Sequence, residues 1–294
     1  MVFSSPIFLF VFLPAVFLLY RLCRDLRVQN ALLAIAILLF YAFGQLRYVP
    51  LFLLSVCINY LAGLLLQTRR ERRRLILTLA VILNLGILAV FKYTDFLLSN
   101  LNLLLETKLP LPGILLPIGI SFFTFQALSY VIDVYRGEVP PERNFARILL
   151  YISLFPQLIA GPIVKYHDIA SELVSREQTL EGLARGTRRF IVGLSKKVLV
   201  ANYMGAVADA LFAADASCVC APLAWAGTIA YALQIYFDFS GYSDMAIGLG
   251  WMFGFHFREN FDHPYIATSV RGFWRRWHIS LSTWFQRYLY IPMG

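Results

Sequence analysis

The sequence has few charged residues. Only 15% of its 294 residues are Asp, Glu, Lys or Arg, compared with about 25% in soluble proteins. Hydrophobic residues make up 59% of the chain, the mean hydropathy is +0.67, and the apolar residues recur in long runs. An ordinary soluble domain is therefore excluded, and the composition predicts one polytopic helical membrane protein.

Signals for metal sites and for secretion are also missing. None of the four cysteines belongs to a C-x-x-C zinc pair, and the four histidines show no H-E-x-x-H spacing, so we expect no bound metal. The first apolar run lacks a small-residue cleavage site, which favours a retained helix. The basic residues behind the net charge of +9 lie beside apolar runs, where they contact membrane lipids, and nucleic-acid binding is not expected.

Four apolar stretches near the start of the chain are long enough to cross a membrane. They cover residues 5–20, 30–46, 48–67 and 75–92, each close to the roughly 20 residues that a span requires. Five arginines between residues 69 and 74 mark the cytoplasmic side, and Arg21, Arg24 and Arg27 fall on the same side. We therefore expect a regular N-terminal part, residues 1–105, whose N-terminus faces outward.

Beyond residue 105 the pattern becomes irregular. Prolines and glycines interrupt two apolar stretches, residues 106–119 and 154–168. Broken backbone at membrane depth is tolerated only where it is buried in protein or lines a water-filled cavity. Residues 172–189 are polar and helix-compatible, which predicts an interfacial amphipathic segment. We expect residues 106–294 to form the irregular, functional part of a single membrane domain over residues 1–294.

A later apolar stretch, residues 233–255, contains Gln234, Asp238 and Asp244. An acidic side chain at a helix centre costs about 2.5–3.5 kcal/mol on insertion scales, so these acids need partners. Asp238 either pairs with an arginine or with backbone amides and holds helices in register, or it forms an acid/base pair with Asp244. The six-residue spacing places the two acids about 120° apart on a helix, which favours the structural role.

The segment GFWRRWHISLSTWF, residues 272–285, combines aromatic, basic and polar residues. On one continuous helix, an aromatic face would lie beside a polar face that carries Arg271, Arg275, His278 and Ser282. Cationic neighbours and desolvation both favour the neutral imidazole of His278, as a general base requires, although a structural histidine in a helix bundle is the open alternative. The other histidines are expected to be structural: His167, His256 and His263.

Four long segments of the sequence resemble segments that occur in the same order in a known family. They are LPIGISFFTFQALSYVIDVYRG at 116–137, FPQLIAGPI at 155–163, YFDFSGYSDMAIGLG at 236–250 and ENFDHPYIATSVRGFWRRWHISLSTWFQRYLYIPMG at 259–294. Together they resemble the membrane-bound O-acyltransferase family, most closely its bacterial alginate O-acetylase branch. Long ordered blocks of this kind are more specific than any short motif.

The resemblance implies an all-α fold, a polytopic transmembrane helical bundle with broken or re-entrant helices around an acyl-transfer tunnel. It implies that an acyl group, most often acetyl, moves from a cytoplasmic thioester such as acetyl-CoA, without a bound cofactor, to hydroxyls of an exported polysaccharide such as alginate or of peptidoglycan. His278 matches the first of two family tunnel histidines and is expected to be catalytic. The tunnel is expected to include Arg271, Arg275, Ser282, Gln234 and Asp238.

The resemblance also implies a multi-pass protein of the bacterial inner membrane with polysaccharide acceptors, membrane lipids and periplasmic acetyltransferase-type proteins as partners. The second family histidine, usually assigned the main catalytic role, has no counterpart before Gly294, so we expect a fragment or a shortened protein with an incomplete bundle. Three alternatives stay open: D-alanyl transfer to teichoic acid, a non-catalytic scaffold for a periplasmic acyltransferase, and a transporter. A transporter would show two pseudo-repeated halves, which this sequence lacks.

Overall fold

The computed structural model describes residues 3–154, 161–215 and 219–294, and across these ranges it contains helices and no β-strand. The chain folds into two compact units. Unit 1 comprises Met1–Leu19, Ala160–Pro162 and Ser175–Gln286, and unit 2 comprises Tyr20–Ile159, Ile163–Val174 and Arg287–Gly294. The motif predicted at 155–163 lies largely outside the described residues. The single domain expected over residues 1–294 stays a prediction.

The helices of the N-terminal half follow the predicted spans closely. A π-helical turn, Phe8–Phe12, leads into α1, and the helices that follow belong to unit 2. Asp25 and Asn144 cap the start of two of them, each accepting a hydrogen bond from a main-chain N–H two residues later. The helices are α1 Leu13–Leu22, α2 Leu26–Gln45, α3 Val49–Thr68, α4 Arg73–Leu105, α5 Ile120–Arg136, α6 Phe145–Ser153 and α7 Tyr166–Val174.

Polar and small residues hold the helices of unit 2 together. The amides of Asn59 in α3 and Asn84 in α4 are buried and exchange two side-chain hydrogen bonds, of 3.0 and 2.9 Å. Gly63 in α3 faces the ring of Tyr130 in α5, which leaves no room for a Cβ atom. Because paired amides have no unsatisfied polar groups at the contact, α3 and α4 can pack closely at an apolar depth.

Unit 1 is built around two long helices. The first begins with α8, Leu180–Ser195, and continues through a π-helical turn, Lys196–Ala201, into α9, Asn202–Phe212. The second is α10, Ala221–Met252. Two glycine pairs, Gly186 with Gly248 and Gly193 with Gly241, bring α8 and α10 together, and a Cβ atom added at Gly193 would lie 2.6 Å from the main-chain nitrogen of Met245. The backbones therefore pack directly against each other.

Three stretches of the described chain are long and apolar enough to cross a membrane: Leu26–Thr68, Arg70–Leu105 and Leu180–Phe212. The first two contain three of the predicted spans, and Phe8–Leu22 is a shorter apolar helix where the first span was predicted. The interfacial segment predicted over 172–189 is wrong in its bounds. Residues 175–179 are not helical, and the helix that starts at Leu180 runs on through apolar sequence to Phe212.

Residues 106–119, between α4 and α5, contain no helix, as the prolines and glycines predict. Gly113 and Gly119 have φ values of +60° and +75°, a region that favours glycine because it carries no Cβ atom. The side chain of Asp95 in α4 accepts a hydrogen bond from the Ile114 main-chain N–H at 3.1 Å. The irregular segment is thus fixed in place by its contacts with a helix.

Candidate active site

The segment predicted as one helix over 272–285 is broken at its centre. A short helix, α11, Val270–Trp274, ends before Arg275, and a second, α12, Ile279–Phe285, begins after His278. The residues between them pair with an upstream loop through a bridge between Phe261 and Trp277. The main-chain N–H of Ile279 donates to Asn260 O at 3.0 Å. The continuous helix is therefore wrong, because contacts with residues 260–262 replace helical hydrogen bonds.

His278 lies at this break. Its φ is +47°, a left-handed conformation that non-glycine residues rarely adopt, and its side chain is buried with a relative exposure of 8%. The imidazole ring packs edge-on against Phe239 of α10, with ring centroids 4.7 Å apart. Surrounding contacts must maintain a residue in this region of φ and ψ, and such residues cluster at active sites.

The shorter polar contact of His278 is with the side chain of Asn260. Nδ1 of the imidazole lies 3.2 Å from Oδ1 of Asn260, a residue that is completely buried. The same Oδ1 accepts hydrogen bonds from the main-chain N–H and the hydroxyl of Ser280, at 3.1 and 2.8 Å. Asn260 therefore ties the loop before the bridge to the first residues of α12.

Burial keeps the imidazole neutral. His278 lies outside the three long apolar stretches, and desolvation lowers its pKa from 6.5 to about 4. This direction agrees with the predicted bias toward the neutral form, and of the two predicted causes it is desolvation that lowers the pKa. A neutral imidazole at pH 7 can accept a proton from a hydroxyl group.

The polar face predicted around His278 does not exist as a helical face. Arg271 lies in α11, Arg275 lies in the turn after it, and both are exposed. Ser282 lies in α12, where its hydroxyl donates to Trp274 O at 3.2 Å. The helical wheel that grouped these residues with His278 is wrong, because the left-handed residue turns the chain between the two short helices.

The predicted aromatic face is also replaced by a different cluster. Trp274 is 50% exposed, whereas Trp277 packs against Phe261 and Phe273 at centroid distances of 5.1 and 5.5 Å. Phe239 of α10 contacts both Phe261 and His278. Aromatic packing therefore stabilises the bridge and the loop, with rings that come from three separate parts of the sequence.

Gln234 and Asp238 both lie on α10, as predicted. Asp238 is half-exposed and pairs with Lys197 of the π-helical turn, so its partner is a lysine rather than the expected arginine or amides. The carbonyl oxygen of the Gln234 side chain is buried without a hydrogen-bond partner among the described residues. Gly205 of α9 leaves room for the Gln234 amide, because a Cβ atom there would lie 2.8 Å from its nitrogen.

Asp244 pairs with two cations, whereas Asp238 pairs with one. Its side chain is 7% exposed and accepts from Lys196 at 2.6 Å and from Arg189 Nε at 2.8 Å. Arg189 also reaches Glu259, the residue before Asn260, at 2.6 Å. Asp238 and Asp244 thus pair with different cations, which agrees with their predicted separation on the helix.

Unit 2 contains a second cluster of ionisable groups that the sequence did not predict. Asp133 of α5 is fully buried; its carboxylate lies 2.9 Å from His167 Nδ1 and accepts from the Tyr288 hydroxyl at 2.8 Å. Ligand atoms of Asp133, Glu138 and His167 lie within 4.8 Å of one another, but Arg287 pairs with Glu138 and lies 3.9 Å from Asp133. Because a guanidinium already balances these carboxylates, the cluster is better explained as an ion-pair network than as a metal site.

A sequence model of the membrane-bound O-acyltransferase family matches residues 43–294. The chain belongs to this family. Over its full length it is 46% identical to the Pseudomonas aeruginosa protein named "Probable alginate O-acetylase AlgI", and it covers 57% of that protein. It is 37% identical over its full length to the peptidoglycan O-acetyltransferase of Helicobacter pylori, of which it covers 62%.

Similarity to a third relative is lower. The teichoic acid D-alanyltransferase of Bacillus subtilis is 26% identical over 59% of this chain and 45% of its own length. The chain spans less than two thirds of the length of all three relatives. Every predicted site residue of this O-acyltransferase family member lies within the matched residues 43–294.

Sequence reasoning missed Asn260 and the basic partners of the two acids. Asn260 stands in the quoted block at 259–294, but a lone asparagine in a loop carries no periodic signal. The charges of Arg189, Lys196 and Lys197 were visible in the sequence, and their spacing by seven or eight residues from Arg189 places them on one helix face. A helix face with three basic residues and a second helix with two acids, Asp238 and Asp244, could together have predicted the ion pairs.

Proposed function

We propose that the protein is a membrane-bound O-acyltransferase that moves an acetyl group from a thioester donor to hydroxyls of an exported polysaccharide or of peptidoglycan. Two relatives support this choice, because the one named for alginate O-acetylation is 46% identical and the one named for peptidoglycan O-acetylation is 37% identical, each across the whole chain. D-alanyl transfer to teichoic acid is less well supported, because that relative is 26% identical over 59% of the chain.

The observation that carries the proposal is the buried, neutral imidazole of His278. In the proposed reaction, the imidazole removes the proton from an acceptor hydroxyl while the hydroxyl oxygen attacks the thioester carbonyl. The carbon–sulfur bond then breaks, the thiolate takes up the proton, and the products are an O-acyl ester and a free thiol. Acetyl-CoA is the simplest donor with this chemistry, and the step requires no metal.

Further roles are proposed for residues around His278. Gln234 and Asp238 would line an acyl tunnel on α10, while Arg271, Arg275 and Ser282 would contact the donor or acceptor on either side of the bridge. Arg271 and Arg275 are exposed, which suits cations that meet an anionic group of a substrate. The tunnel would belong to a single domain that covers residues 1–294.

The proposed setting is the bacterial inner membrane, with the thioester on the cytoplasmic side and the acceptor on the opposite side. The three long apolar stretches support a membrane location. The proposed partners are periplasmic acetyltransferase-type proteins, a polysaccharide acceptor and membrane lipids. In this arrangement the donor thioester and the exported acceptor lie on opposite sides of the membrane. The acyl group would therefore have to cross the membrane through the protein.

A labelled-thioester assay tests the proposed function. Membranes that contain the chain, alone or continued by the remaining residues of the Pseudomonas aeruginosa relative, receive radiolabelled acetyl-CoA or a D-alanyl thioester together with alginate or peptidoglycan. We expect the continued chain to transfer the acetyl group in preference to D-alanine. Preference for D-alanine would contradict the acetyl proposal, and docking of a periplasmic acyltransferase without transfer would favour the scaffold.

A further inference from the structure

The orientation of the Asn260 side-chain amide is fixed by its neighbours. Its Oδ1 accepts from the Ser280 main-chain N–H at 3.1 Å and from the Ser280 hydroxyl at 2.8 Å. A main-chain N–H can only donate, so the oxygen of the amide, and not its NH2 group, must face Ser280. Main-chain chemistry therefore determines which atom of Asn260 points toward His278.

The position of Asn260 Oδ1 determines which ring nitrogen of His278, Nδ1 or Nε2, is protonated in the neutral imidazole. Oδ1 lies 3.2 Å from Nδ1 of His278, and an amide oxygen cannot donate, so Nδ1 must be the donor. The Ser280 hydroxyl lies 3.5 Å from Nδ1, but its hydrogen is already directed at Asn260. Because a neutral imidazole has a single N–H, Nε2 then holds the lone pair.

We propose that Asn260 is a positioning residue that holds His278 in the Nδ1–H tautomer and makes Nε2 the basic nitrogen. The inference rests on the proposed function, because it names the atom that would remove the acceptor's proton. Asn260 would act through His278 and not on the substrate itself.

The burial of Asn260 supports a functional role. Its Nδ2 is buried and has no hydrogen-bond partner within the described ranges of the chain. An unsatisfied buried donor destabilises the folded protein, so stability alone does not explain an asparagine at this position. The adjacent left-handed conformation of His278 is a second local cost at the same site.

Charged groups near His278 do not compete for this role. Within the part of unit 1 that the structure describes, none of them forms a hydrogen bond or ion pair with the imidazole. The acidic groups on the elements packed around His278 are held by cations of their own: Glu259 by Arg189, Asp262 by Arg276, Asp238 by Lys197 and Asp244 by Lys196.

Solid-state ¹⁵N NMR of the 294-residue chain in lipid bilayers, with ¹⁵N-labelled histidine, measures the tautomer directly at pH 8. The resonances that disappear in His278→Asn identify His278. We expect a protonated Nδ1 and an unprotonated Nε2, and we expect Asn260→Ala to lower the ratio of Nδ1–H to Nε2–H by about fivefold. Asn260→Asp retains an acceptor oxygen and should keep Nδ1 protonated, while Asn100→Ala, an exposed change on α4, should alter nothing.

A wild-type His278 protonated at Nε2 would overturn the inference, as would an unchanged ratio in a folded Asn260→Ala protein. If Asn260→Ala does not fold, the wild-type and Asn260→Asp spectra still decide it. The spectra do not depend on turnover, so the two proposals can fail separately. The expected tautomer together with no acyl transfer by the continued chain contradicts the proposed function, whereas acyl transfer with an Nε2–H imidazole contradicts the role of Asn260.

Discussion

At the scale of single residues, His278 is held in a state that an isolated histidine would not adopt. Its backbone is left-handed, its ring is packed against Phe239, and its polar contact is made by Asn260. The left-handed conformation costs about 1–3 kcal/mol in a non-glycine residue, so other contacts must maintain it. The bridge between Phe261 and Trp277 provides them.

The low pKa of His278 predicts a loss of stability in acid. The unfolded pKa is about 6.5 and the folded pKa about 4, so between these values the unfolded chain binds a proton that the folded chain does not. The free energy of unfolding should therefore decrease by about 3 kcal/mol as the pH falls from 7 to 4. Thermal unfolding midpoints of the purified protein at pH 7 and pH 4 measure the change.

In the same measurement, His278→Asn removes the titrating group while keeping a residue that tolerates a left-handed backbone. This variant should lose less stability in acid than the wild type. Equal losses in the two proteins would show that His278 is not the group that titrates.

The two acids of α10 should differ in their effect on stability. Asp244 is nearly buried and accepts hydrogen bonds from two partly exposed cations, Lys196 and Arg189, so Asp244→Asn should destabilise unit 1 by about 1–3 kcal/mol. Asp238 is half-exposed, and Asp238→Asn should cost less than about 1 kcal/mol. The yield of folded protein after membrane extraction compares the two variants. A larger loss of yield in Asp238→Asn than in Asp244→Asn would contradict this ranking and would support the structural role predicted for Asp238.

Residue identities could be predicted from the sequence better than their contacts. His278 was identified as the candidate base, and its neutral state follows from burial. The predicted neighbours Arg271 and Arg275 are exposed. The side chain that contacts the imidazole is that of Asn260, 18 positions upstream of His278. Such a contact between a loop and a helix start has no period, so pattern analysis cannot find it.

At the scale of elements, the most specific packing is between α8 and α10. The close approach at Gly193 leaves no space for a side chain, so Gly193→Ala should force the helices apart and cost about 1–3 kcal/mol. Gly86→Ala is the matched control, because a Cβ atom there has no neighbour within 4 Å and α4 is helical around it. Equal melting temperatures for the two variants would argue against direct backbone packing.

The helices themselves were largely predictable, and the exceptions have physical causes. Long apolar runs located α2, α3 and α4, and prolines with glycines located the irregular residues 106–119. The break between α11 and α12 was missed because every residue from 273 to 285 is compatible with a helix. Hydrogen bonds from the Asn260 loop outweigh that local preference.

At the scale of the whole molecule, the arginines at residues 69–74 predict the orientation in the membrane. Arg73 donates to the Tyr135 carbonyl at 2.5 Å, while Arg69, Arg70, Arg72 and Arg74 are exposed and can face the cytoplasm and its anionic lipids. A phosphatase or fluorescent reporter fused after Arg74 should report a cytoplasmic location. A periplasmic signal would reverse the predicted topology.

The central claim is that His278 is the base of an acyltransferase, and the initial rate of labelled acetyl transfer in His278→Asn tests it most directly. His263→Asn is the matched control, because His263 is also a left-handed histidine, with φ of +45°, but is exposed and 15 positions away in the sequence. In the chain continued to the length of its relatives, His278→Asn should lower the rate by about 10²- to 10⁴-fold and His263→Asn should leave it unchanged. Equal rates for a folded His278→Asn protein and the wild type would contradict the account.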